Sequence, residues 1–475
     1  TNPFSGEVVQ DSFVAVDAST RPFQNYNYYP WHSMVEVGSE VWVADVYSPT
    51  ISRLNKSNMA NRGSITVGSW PVSLVEVPSR SLVLVANKAS DTLGFVDTFE
   101  KRQVDAVWVG DAPAGIVVSP DGLRAYVSLS GEDKVAVVDV VKRELIERID
   151  ALFDPLALAL TPDGKTLFVA SHRSGQSSQY PYEGRDPETE TDIAIIDTQT
   201  NLVTGFILEV SSTINDMFYD GARDELWVVG TRNDTVGSLN DPSVFSFIHE
   251  VVVLSPEAGQ AKRLRSIDLS RESDSSDMVV TLQGGALCGD TVWVTAESSD
   301  LTIALDAVTF AEKARIPSAG RPRSVMCLGQ GALVHSAVDL SVVKIEGSVG
   351  EKFSTGAVER RPESLIAGHK VFSMPGEGPG ANRSCSNCHV DGQSDGVVWN
   401  AGPFPNAQVT RPFRWLEGTS RIGWDGYVGS IKVSGFVGGS TINSRPNTEQ
   451  AEALGDFLAS LMPGPAANGK TRRDG

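Results

Sequence analysis

The sequence predicts a mainly β protein: a seven-bladed β-propeller followed by a small α-helical domain. Three observations carry that reading. A unit of about 42 residues repeats through most of the chain. Each unit holds short apolar runs separated by turn chemistry. Near Ala357 this alternation stops, and apolar residues return at helical spacing.

The prolines mark the repeat. Trp70-Pro71, Ala112-Pro113 and Asp154-Pro155 stand 42 residues apart, and Pro30 lies 41 before the first. Within a unit, Gly115-Ile116-Val117-Val118-Ser119-Pro120-Asp121-Gly122 parallels Ala157-Leu158-Ala159-Leu160-Thr161-Pro162-Asp163-Gly164. Pro-Asp-Gly between apolar runs is a hairpin turn. Proline sets φ, aspartate bonds its own backbone, and glycine takes positive φ. The runs that follow, Arg124–Ser128 and Thr166–Ala170, are β-branched and aromatic, as strands require. Third strands end in Val96-Asp97, Val138-Asp139 and Ile196-Asp197.

Units of this length with several strands each read as propeller blades. Seven begin near Pro30, Pro71, Pro113, Pro155, Ser212, Asp277 and Pro322, with insertions at His172–Thr191 and Arg232–Phe247. A β-solenoid would use shorter units with fewer hairpins. The apolar Val8-Val9 and Phe13–Val16 make Thr1–Tyr29 a candidate for a strand that closes the ring. The spacing, with its Pro-Asp-Gly and Val-Asp signatures, resembles the YVTN family of β-propellers over about 330 residues. That resemblance implies a fold and is nearly silent on function.

The expected domains are 1–356 and 357–475. In the second, Glu363–Phe372 has helical periodicity. Asn447 and Thr448 can cap a closing helix with Ala451, Leu454, Phe457, Leu458 and Leu461 on one face, stopped by Pro463.

Charge divides the same way. Of 40 basic and 59 acidic residues, only 12 and 11 fall in 357–475, so the excess acidity belongs to the repeats. An acidic surface excludes nucleic acid as a partner. It suits a basic partner, bound cations or plain solubility. No run of about 18 apolar residues occurs, so no membrane-spanning segment is expected. The chain begins at Thr1 without Met, and Thr1–Tyr28 has neither a basic start nor an apolar run. It reads as a mature chain whose export signal has been removed, an arbitrary boundary being the alternative. The expected location is periplasmic or extracellular, with membrane association through a processed N-terminus left open.

Cys385-Ser386-Asn387-Cys388-His389 carries the chemistry. Two thiols three residues apart on one helical turn can reach both vinyl groups of one porphyrin edge. The histidine after the second thiol then becomes the proximal iron ligand. The expected cofactor is one covalent haem c. Zinc would need a second ligand pair, yet no Cys follows Cys388 and no His follows His389. Cys288 and Cys327 occupy matching places in two blades, and a disulfide and a pair of buried thiols are both open.

Helix, CxxCH, long loops and closing helix is the layout of a cytochrome c domain. Cys388-His389-Val390-Asp391-Gly392, Thr410-Arg411-Pro412 and Gly423-Trp424-Asp425-Gly426 occur in that order. The segment resembles the bacterial di-haem cytochrome c peroxidase and MauG-like group over about 120 residues. The resemblance implies that Cys385 and Cys388 are the thioether cysteines and His389 the proximal ligand. It also places Trp424, Asp425 and Arg411 at the haem. The chain departs from the group's pattern: it has one CxxCH where the group has two, and Tyr427 where the group has arginine. It also has no glutamate from Trp424 to Asn447 to serve as the distal acid–base group. A partner protein could supply a second haem.

The usual loop for a sixth ligand contains no methionine, since Met374 precedes the motif and Met462 follows the last helix. Tyr427 and Lys432 lie in that loop, and the propeller offers His32 and Met34. His369 is expected to face solvent, and His172, His249 and His335 to be structural. The expected function is electron transfer or oxidoreduction with a redox partner protein, another cytochrome among the candidates, and the propeller as docking or substrate surface. A peroxidase-like enzyme with an open distal site, and a propeller scaffold carrying a haem, are the alternatives.

Overall fold

The computed structural model describes residues 30–173, 191–234, 246–270, 278–376, 383–393, 398–399, 408–409, 413 and 446–461. Residues 34–354 form seven four-stranded antiparallel sheets, each hydrogen-bonded in sequence order. The fourth sheet carries one extra short strand, Gly259–Gln260, on its outer edge. First strands begin at Met34, Pro71, Pro113, Pro155, Thr213, Leu282 and Ser324, within a few residues of the predicted blade starts. Each packs against the first strands of both neighbouring blades, blade seven against blade one included, so they line the ring axis.

The sequence pattern explains the radial layering. Second and third strands such as Leu82–Asn87 and Lys134–Asp139 are almost wholly buried because sheets stack on both of their faces. Outermost strands such as Arg102–Trp108 and Glu144–Asp150 are mostly exposed and carry the charge. The repeated terminal aspartates have a defined task. Asp97, Asp139, Asp197 and Asp306 each accept two backbone N–H bonds from residues two and three positions on. This fixes the turn into the outer strand. The Pro-Asp-Gly turns form as expected, with φ of 69° at Gly122 and 71° at Gly164.

Six blades place a non-glycine residue of positive φ just before the innermost strand: His32, Trp70, Ala112, Asp154, Thr281 and Arg321. These sharp entrances put their side chains on one face of the ring. Both insertions lie between the second and third strands of their blades, in the gaps Ser171–Thr191 and Asp234–Ser246.

Among the described residues no strand is shared where the ring closes: blades one and seven are each built from four consecutive strands of their own. Side chains hold that seam. Met34, Met59, Leu328, Leu333 and Val342 form one apolar cluster across it. Ser33 Oγ lies 2.7 Å from His335 Nδ1, and Asn61 Nδ2 donates to the Thr355 carbonyl at 2.6 Å. The segment Thr1–Tyr29, expected as a closing strand, lies outside the described residues.

Cys288 and Cys327 are joined in a disulfide between blades six and seven, with a Cα separation of 5.6 Å. Matching positions on adjacent first strands are close enough to bridge.

Beyond the ring come α1 (Glu363–Phe372), α2 (Cys385–Cys388) and α3 (Thr448–Ser460). Asn447 caps α3 in a reciprocal box with Gln450. Val398–Trp399 pairs with Gln408–Val409. Among the described residues no helix is long and apolar enough to cross a membrane.

Candidate functional site

Helices α1 and α3 cross in close contact. A Cβ on Gly368 would lie 2.0 Å from the Ala453 carbonyl oxygen, so only glycine admits the crossing. Val371, Phe372, Leu454, Phe457, Leu458 and Leu461 fill the layer between them, and Cys385 and Phe413 pack on its edge. The Cys385–His389 segment therefore borders an apolar wall.

Within that segment, α2 is a single turn. Ser384 caps it, and its hydroxyl and backbone N–H both meet the Asn387 side chain. Cys385 and Cys388 are both unbridged thiols. Burial pushes the Cys385 thiol up to about 12, so it is no thiolate at neutral pH. That argues against a dithiol redox pair, which needs a low thiol pKa. Among the described residues no cluster of three or more His, Cys, Asp or Glu could hold a metal ion, so zinc has no second ligand pair there. The His389 ring stacks on Phe413 with centroids 3.7 Å apart. Two reduced thiols one turn apart, an imidazole at the next residue and an apolar flank make a donor set that fits a covalent porphyrin.

The motif has two sides. The thiol of Cys385 turns to the helices, while Ser384 and Asn387 turn to the propeller. Asn387 Nδ2 donates to Thr281 Oγ1 at 3.0 Å, and Ser384 Oγ lies 3.1 Å from Ser298 Oγ. Asp391, two residues past His389, has φ of 53°. Its carboxylate lies 3.6 Å from Arg323 Nη2 and 4.0 Å from His172 Nδ1. Arg323 also faces the fully buried Glu297 at 3.5 Å and donates to Gln283 at 3.0 Å. Burial raises the Glu297 pKa, with Arg323 and Arg321 opposing the shift. Burial lowers that of His172, with Asp391 and Asp154 opposing. Arg321 Nη2 donates to the Lys370 carbonyl at 2.8 Å, satisfying the last turn of α1.

His369 does not face solvent. It is buried, its ring stacked 4.8 Å from Phe457, with Tyr47 Oη 3.4 Å from Nδ1. Burial holds its pKa well below the usual histidine value. The helical spacing of α1 did not reveal this, because the helix has an apolar side toward α3 and a second covered side toward the ring.

The propeller candidates for a sixth ligand have other neighbours in the structure. Met34 belongs to the seam cluster. His32 Nε2 lies 3.0 Å from Asp216 Oδ1, which also accepts from Trp31 Nε1 at 3.0 Å. His335 meets Ser33, and His249 Nδ1 lies 3.0 Å from Thr231 Oγ1. Arg411, Trp424, Asp425, Tyr427, Lys432 and Met462 lie outside the described residues. Sequence reasoning missed Thr281, Glu297, Ser298 and Arg323. The signal was present: charged and hydroxyl residues stand at the ends of apolar first and second strands, on the ring face.

No family model and no curated protein matches the chain. Among solved structures it is similar to hydrazine synthase of Kuenenia stuttgartiensis, with 20% identity and a TM-score of 0.55. That likeness covers 74% of this chain and 99% of the other. At this identity the likeness shows the propeller fold.

Proposed function

We propose that the chain is an exported c-type cytochrome that passes electrons through one covalent haem at Cys385, Cys388 and His389. The observation that carries this is the pair of unbridged thiols one helical turn apart, with His389 next in sequence and an apolar helix pair at their flank. A haem bound there would supply one-electron chemistry. The two cysteines would anchor it, and His389 would bind the iron. Phe413 sets the plane of the imidazole. The α1–α3 layer excludes water from one side. Residues 357–475 act as a cytochrome c domain, and the acidic propeller acts as a docking or substrate surface for a redox partner. The same propeller fold occurs in a chain of an enzyme, a hydrazine synthase, which is compatible with that surface. The Cys288–Cys327 disulfide supports an oxidising compartment, hence the periplasm or exterior.

The peroxidase-like alternative needs an acid–base group beside the iron. Asp391, Glu297 and His172 are titratable groups on the motif's propeller side; Asp391 meets His172 and Arg323, and Arg323 meets Glu297. Electron transfer asks for none of them, and it is the reading we adopt. The test is extraction of the denatured protein with acidic organic solvent. Haem that stays with the polypeptide supports the proposal; haem that passes into the solvent ends it.

A further inference from the structure

The propeller meets the motif from behind. Ser384, Asn387 and Asp391 turn toward blades four, six and seven, while Cys385 turns toward the helices and His389 toward Phe413. The ring is therefore placed to act on the turn that carries His389. Arg323 joins both parts through charge. It enters the innermost strand of blade seven and is buried. Its guanidinium stands between Glu297, a propeller carboxylate at 3.5 Å, and Asp391, a carboxylate of the motif turn at 3.6 Å. Gln283 orients it at 3.0 Å and also donates to Glu297 at 2.7 Å. Asp391 holds a left-handed backbone conformation that a non-glycine residue adopts at a cost, so something must fix it.

We propose that Arg323 is a positioning residue for the haem-binding turn: through Asp391 it fixes the His389 loop and sets the potential of the haem by its charge. The inference rests on the haem reading above. A fixed cation near the iron favours the reduced form, and a fixed anion favours the oxidised form. In a buried site neither is strongly screened. Because burial holds His172 toward its neutral form, Arg323 is the cation that Asp391 meets.

The experiment is spectroelectrochemical titration of the full haem-loaded chain and four variants. Arg323→Gln should lower the midpoint potential and Asp391→Asn should raise it. The double variant should fall between the two, and Arg323→Lys should stay nearer the parent than Arg323→Gln. A purely structural role would loosen the turn in both single variants and shift them the same way. Shifts of one sign, or no shift in either variant, would overturn the inference. If Arg323→Gln does not fold, Asp391→Asn still gives the sign: a raised potential supports the inference, and a lowered or unchanged one overturns it. A denatured parent chain that carries no covalent haem would instead sink the underlying reading.

Discussion

Gly368 in α1 sits directly beneath the backbone of Ala453 in α3, with no room for a methyl group between them. The two helices come from opposite ends of the segment that holds the motif, so this contact closes it. Gly368→Ala should destabilise the helix pair by about 1–3 kcal/mol, the usual cost of overpacking. Limited proteolysis of the full chain should then cut 357–475 faster while the β-rich remainder resists. Equal cutting rates would show that the crossing tolerates the methyl group.

The two cysteines should be separable. Cys385→Ala or Cys388→Ala alone leaves one thioether, and the haem should still run with the denatured chain. The double variant should lose it. Intact-mass measurement under denaturing conditions reads this directly. A haem-sized mass increment that survives in the double variant would refute attachment at these residues.

Joining positions 39 apart in sequence, the Cys288–Cys327 disulfide should stabilise the ring by about 2–4 kcal/mol. Without reductant, alkylation of the unfolded chain should leave these two cysteines unmodified, and reductant should expose both. Melting should move to lower temperature in reductant. An unchanged alkylation pattern would mean the bond does not form.

Asp45 gives the ring a pH dependence. Burial raises its pKa to about 7, although Thr50 and Ser52 donate hydrogen bonds to it. The folded state therefore holds a proton that the unfolded chain releases near pH 4. Stability from this group is full below pH 4 and is lost as pH rises to about 7. Asp45→Asn should flatten that part of the curve. Urea midpoints at pH 5 and pH 8 test it: the parent should lose more than the variant, and parallel losses would assign the effect elsewhere.

The fold was largely legible in the sequence. Proline spacing located the first strands because each blade needs the same sharp entrance to the axis. The terminal aspartates were visible because one side chain fixes a whole turn. The CxxCH motif was visible because it is a short pattern local in sequence. The interface was not. Arg323, Glu297 and Thr281 gather at the motif only after blades six and seven have stacked and the segment beyond the ring has docked on them, and no local period marks a pair such as Thr281 and Asn387, 106 positions apart. His369 was misjudged for the same reason: Tyr47, one of its neighbours, lies 322 residues away.

The unshared seam between blades one and seven has a mechanical consequence. Where a ring is closed by a common strand, backbone hydrogen bonds must break before it opens. Among the described residues side chains cross the gap, and the chain beyond Ser354 reaches over it. Ser48 of blade one donates to the Val358 carbonyl, Tyr47 of blade one meets His369, and Arg361 donates to the Val338 carbonyl of blade seven. Residues 358–369 thus serve as a clasp across the ring's joint, and a pull on that segment loads the joint directly.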